Sequence, residues 1–95
     1  MKTRGRVDGN QRDIVTALRK AGCSVFITSS IGGGFPDIVV GVDGVNWLIE
    51  IKDGSLSPSR RKLTHDEETF HLWWNGLVET VESVDEALEL ILGIS

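Results

Sequence analysis

The sequence predicts a small mixed α/β domain with the element order α-β-β-β-α-β-α. Three observations predict it. Two β-branched apolar runs, 38–42 and 45–51, flank Asp43-Gly44. Asp-Gly between such runs is a hairpin signal, because a type I′ turn needs positive φ at both central residues. Helical periodicity lies on either side of this hairpin, in 10–21, from Thr64 onward and from Ser83 onward. Two further short apolar runs, 24–29 and 77–81, read as strands before and after it. The 95 residues carry no internal repeat, linker or low-complexity stretch, so 1–95 reads as one domain.

Residues 1–9 read as a flexible basic arm, in which Arg4 and Arg6 are placed to meet phosphates. The helix over 10–21 takes Asn10 as N-cap and Asp13 as a favourable first-turn acid. Ile14, Ala17, Leu18 and Ala21 form its apolar stripe, Arg12 lies away from that stripe, and Gly22 ends it. Val25, Phe26 and Ile27 supply the strand over 24–29, beside a core-type Cys23. The loop SSIGGGF follows. It lacks the Lys-Ser/Thr ending of a P-loop, yet Ser30 and Gly33 sit where backbone N–H groups can approach a phosphate.

A two-residue turn at Asp43-Gly44 fixes the hairpin register. Val42 then faces Val45, and Asp37 faces Glu50. Lys52 lies two residues beyond Glu50 and shares its face by the period of 2. Ile38, Val40, Val42, Trp47, Ile49 and Ile51 point to the other face, which reads as the core. Two carboxylates that close disfavour each other's ionisation, and a hard divalent cation relieves that cost. Such an ion with a lysine beside it is equipment for phosphodiester hydrolysis.

The polar loop over 53–62 carries Arg60, Arg61 and Lys62, which are placed to hold a nucleic-acid backbone. Thr64-x-x-Glu67 is a capping box that opens a second helix, with Phe70, Trp73, Trp74 and Leu77 as its apolar side and Gly76 as its end. Aromatic residues at this spacing are expected to bury in a core or a dimer interface. That helix makes a crossover to a parallel strand over 77–81. Ser83-x-x-Glu86 caps a closing helix with the stripe Val84, Ala87, Leu88, Ile91 and Leu92, ended by Gly93.

Charge is divided along the chain. Residues 1–62 hold all ten Lys and Arg against six acids, a balance of +4; residues 63–95 hold eight acids and no Lys or Arg. A basic half that carries the chemical residues suits a DNA binder with one working face, despite the net charge of −4. One cysteine excludes a disulfide framework and a cysteine-based zinc cluster. No apolar run approaches the length of a membrane span and no signal-peptide pattern opens the chain, so a cytoplasmic protein without a membrane partner is expected.

Pro36-Asp37 followed by Glu50-Ile51-Lys52 reads PD…EIK, and this resembles the PD-(D/E)XK nuclease superfamily, in particular small phage-type VRR-NUC proteins and archaeal-type Holliday-junction resolvases. The resemblance spans most of the chain. It implies a restriction-endonuclease-like αβββαβ core with an added C-terminal helix. It also implies Mg²⁺, with Mn²⁺ as substitute, held by Asp37, Glu50 and the carbonyl of Ile51, with Lys52 assisting catalysis. The segment QRDIVTALRKAGC resembles the first helix of the resolvase-like nucleases, where a Glu commonly opens the pattern and joins the metal site. Gln11 stands in that place here, with Asp13 or Asp8 as possible replacements for its charge. The implied activity is metal-dependent endonucleolytic cleavage of branched DNA by a homodimer, leaving 5′-phosphates. The alternatives are a DNA-binding or assembly module with a vestigial site, and a nuclease for linear or nicked duplex.

Overall fold

The computed structural model describes residues 8–93. Arg4 and Arg6 lie outside the described residues. The elements follow the expected order: α1 (Gln11–Lys20), β1 (Ser24–Ile27), β2 (Ile38–Val42), β3 (Val45–Ile51), a 3-10 turn (Pro58–Arg60), α2 (His65–Trp73), β4 (Val78–Val81) and α3 (Val84–Leu92). The strands form one mixed sheet in the order β1-β2-β3-β4. β1, β2 and β3 are antiparallel neighbours, and β4 joins β3 in parallel after α2.

The hairpin forms in the register its turn dictates. Asp43 and Gly44 have φ of 52° and 77°, and rungs run from Val42↔Val45 to Ile38↔Ile49. This sends Ile38, Val40, Ile49 and Ile51 to one face, where each is fully buried with Ile14 and Leu18 of α1 and Ala87 of α3. Each such side chain contributes roughly 1.5–3 kcal/mol of burial. α1 and α3 therefore share one face of the sheet, and the residues of opposite parity, Val39, Leu48 and Glu50, look the other way.

Several element details differ from the sequence reading. Val15 joins the buried stripe of α1, whereas Ala17 is half-buried and Ala21 exposed, because the helix ends at Lys20. Asn10 precedes α1 without capping it by its side chain. Its amide instead donates to the carbonyls of Lys52 and Glu82, both at 3.1 Å, tying the start of α1 to the ends of β3 and β4. β1 ends at Ile27, and beyond it the buried Thr28 donates its N–H to the Asp37 carbonyl at 2.8 Å and its Oγ1–H to the Pro36 carbonyl at 2.7 Å.

α2 departs most. Its capping box forms in full, with Thr64 Oγ1 accepting from Glu67 N–H and the Glu67 carboxylate accepting from Thr64 N–H. Yet none of its residues is buried, and Trp73 is 71% exposed. The expected burial in this chain's core is corrected: Phe70 stacks on Trp74 at 5.3 Å and meets Phe35 edge-on at 5.3 Å, so within the chain the rings pack on each other. α2 stands over the sheet face opposite α1 and α3, where His71 Nε2 lies 3.3 Å from the Thr80 hydroxyl. Among the described residues no helix is long and apolar enough to cross a membrane.

Candidate active site

Asp37 sits where β2 begins, after a fully buried Pro36. Its N–H donates to the Ile49 carbonyl at 3.0 Å, although Ile49 is already the rung partner of Ile38. The chain thus steps off the ladder at Asp37, and the expected Asp37–Glu50 rung does not continue it. The Asp37 side chain takes over: Oδ2 accepts the Ile51 N–H at 2.7 Å. A strand residue turns its N–H and its C=O to the same side, so the Ile51 carbonyl also faces the Asp37 side of β3.

Asp37 and Glu50 still meet. They are 7% and 3% exposed, and each bears on the other's ionisation. Burial, and then the charge of Asp37, pushes Glu50 up to about 10. Burial also raises Asp37, against the opposing pull of the Ile51 N–H. Glu50 therefore keeps its proton at neutral pH.

Lys52 Nζ lies 3.8 Å from Glu50 Oε2 and 2.8 Å from Glu67 Oε1. Burial works against its charge, but the hydrogen bond and charge of Glu67, followed by the charge of Glu50, hold it above the usual lysine value. The ammonium is therefore protonated at neutral pH. Burial also works against ionised Glu67, but the Lys52 ammonium and the Thr64 N–H outweigh it and hold the carboxyl below its ordinary range.

These groups line a cleft of about 570 Å³ with Asp8, Ser29, Gly33, Arg60 and Lys62. The structure thus brings together Asp37, Glu50, Lys52, Gly33, Arg60 and Lys62 from the expected set. Gln11 is one residue removed: it is buried, does not line the cleft, and donates Nε2–H to the Ser29 hydroxyl at 3.3 Å. Of its two proposed replacements, Asp8 lines the cleft and its charge bears on Asp37 and Lys52. Asp13 is exposed and belongs to a different hollow, near Asp53 and Glu86. Arg12 and Ser30 are exposed and lie off the cleft. Arg61 is committed elsewhere, with Nη1 2.8 Å from Glu82 Oε1 and Nε donating to the Leu56 carbonyl.

Sequence reasoning missed Glu67 as a site residue, because the capping box already accounted for it. The available signal was Lys52 itself, a cation at the end of an apolar strand that needs a partner when α2 folds over it.

The donor set fits a hard divalent cation. Among the described residues no group of three or more His, Cys, Asp and Glu forms a metal cluster. Mg²⁺ does not require one, since it takes one or two carboxylates and fills its remaining positions with water and phosphate oxygens. Glu50 Oε1 is buried without a hydrogen-bond partner, as are Asn10 Oδ1 and Gln11 Oε1. Asp37 Oδ2 is held by the Ile51 N–H. Comparison with protein-family models, curated proteins and solved structures finds no match for this chain.

Proposed function

We propose that this chain is a divalent-metal-dependent DNA endonuclease that hydrolyses phosphodiester bonds. The observation that carries the reading is the pair Asp37–Glu50, two almost fully buried carboxyl groups lining one open cleft with an ammonium 3.8 Å from Glu50. Two acids buried side by side cost stability when ionised, and a shared cation relieves that cost.

Asp37 and Glu50 are the side-chain ligands; the Ile51 carbonyl is the backbone ligand that the resemblance implies, on a fully buried residue outside the cleft lining. A bound Mg²⁺, or Mn²⁺ in its stead, supplies Lewis-acid polarisation of the scissile phosphate and a water of lowered pKa. Lys52, protonated, is a charge stabiliser rather than a general base: its ammonium faces the oxygens on which charge develops. Arg60 and Lys62 on the rim hold neighbouring phosphates, and Gly33 gives the backbone room to pass. Asp8 supplies negative charge that Gln11 does not, and Gln11 orients Ser29. The resemblance to junction-resolving nucleases directs the reading to branched DNA, a homodimer with two sites and 5′-phosphate ends.

The test is cleavage of a four-way junction and of a matched linear duplex, each with and without Mg²⁺. Lys52→Ala is expected to lose at least about 100-fold in kcat with metal affinity retained. Equal cleavage of both DNAs would replace junction selectivity by a duplex nuclease. Absence of Mg²⁺-dependent cleavage of either, with no Mg²⁺ heat that Asp37→Ala removes, would leave a vestigial DNA-binding module, the reading that the neutral Gln11 favours.

A further inference from the structure

Glu67 is used twice. The same atom, Oε1, accepts the Thr64 N–H at 2.8 Å and the Lys52 ammonium at 2.8 Å. The first bond closes the N-terminus of α2; the second reaches the strand below. Lys52 and Glu67 side chains are 12% and 18% exposed, so water competes little for either. α2 has no buried residue of its own to seat it on the sheet. It is seated by this ion pair, by close approach of Gly34 to the Asp66 carbonyl, and by the contacts of Phe70 and His71.

We propose that Glu67 is a positioning residue for Lys52, fixing the ammonium at the mouth of the Asp37–Glu50 pair through the cap of α2. The role rests on the nuclease reading of the same cleft. Without Glu67, the ammonium still has Glu50 Oε2 3.8 Å away, a carboxylate once a cation displaces its proton, and the charge of Asp8. It would collapse onto the carboxylate that is to bind the cation, and so compete with that cation instead of facing the phosphate. Glu67 holds it back by a shorter bond. The helix cap and the catalytic geometry are therefore one construction: the turn of chain that starts α2 also sets where the lysine stands.

Glu67→Ala, Glu67→Gln and Thr64→Ala separate the two uses. Thr64→Ala removes the hydroxyl half of the cap and leaves the carboxylate on Lys52. Glu67→Gln keeps an oxygen for the Thr64 N–H and removes the charge, which preserves folding if the alanine variant fails to fold. Junction cleavage in Mg²⁺ is expected to fall about 100-fold in kcat for Glu67→Ala, less for Glu67→Gln, with KM and the Thr64→Ala rate changed by no more than about threefold. Nitrogen NMR of lysine ammonium groups gives an independent reading on the metal-free chain. The Lys52 signal exchanges slowly in wild type and Thr64→Ala, and broadens in both Glu67 variants. Equal kinetic losses in Glu67→Ala and Thr64→Ala, or a Lys52 signal indifferent to Glu67, overturns the proposal. If the wild type cleaves nothing, the nuclease reading falls, and the ammonium signal alone decides whether Glu67 holds Lys52.

Discussion

At the scale of single residues, the cost of the site is concentrated on Glu50. Its ordinary value of 4.5 rises to about 10 in the folded chain, so across that window the folded state keeps a proton that the unfolded state has released. Stability falls with pH wherever the native state binds more protons. Metal-free protein is therefore expected to melt at progressively lower temperature as pH rises from about 5 to about 9. Glu50→Gln flattens that slope because it removes the titrating group, and saturating Mg²⁺ flattens it because the cation replaces the proton. Thermal melts over the pH series, with and without Mg²⁺, check both. A wild-type slope that Glu50→Gln leaves intact would place the titration elsewhere.

At the scale of elements, the hairpin and α2 contrast. The hairpin's turn and its core face were legible, because Asp43-Gly44 leaves one tight turn and period-2 alternation then assigns every side chain. The position of α2 was not legible. Phe70, Trp73 and Trp74 carry the spacing of a buried face, but they satisfy one another and Phe35. What seats α2 is partly backbone: a Cβ at Gly34 would run into the Asp66 carbonyl oxygen, at a φ of +86°. Gly33 also has positive φ, with nothing near its side-chain position. Gly33→Ala is expected to cost roughly 1–2 kcal/mol from left-handed strain alone. Gly34→Ala adds a clash, for a total of about 2–5 kcal/mol, and displaces α2 from the cleft. Urea titrations of the two variants give the comparison; equal costs would show that the loop does not lean on α2.

At the scale of the whole molecule, charge is sorted by position in the fold more than by position in the sequence. Arg60, Arg61 and Lys62 are consecutive, yet only Arg60 and Lys62 line the cleft, whereas Arg61 pairs with Glu82. The double variant Arg60→Ala/Lys62→Ala is expected to lower DNA affinity and to reduce the slope of log K against log salt by about 2, one per phosphate contact. Arg61→Ala leaves that slope unchanged and lowers stability by about 0.5–1 kcal/mol, the scale of a half-exposed ion pair. Binding measured over a salt series, beside urea melts, separates them. A slope that Arg61→Ala reduces as much as the double variant would mean that the Glu82 pair opens on DNA.

The sequence by itself determined the order of elements, the turn, the face shared by Glu50 and Lys52, and the core face of the hairpin, because these depend on local periodicity and on the few conformations that Asp-Gly permits. It also placed Asp37 near Glu50, though not how the contact is made. Only the tertiary structure decided that Asp37 leaves the ladder and binds the Ile51 N–H, that Asn10 bridges two strand ends, that Gln11 stands behind Ser29, and that Asp8 and Glu67 join the cleft. Each of those is a contact between residues distant in the chain or a competition between two partners for one polar atom. A local pattern shows that such a group needs a partner; which partner reaches it first depends on how the helices settle on the sheet.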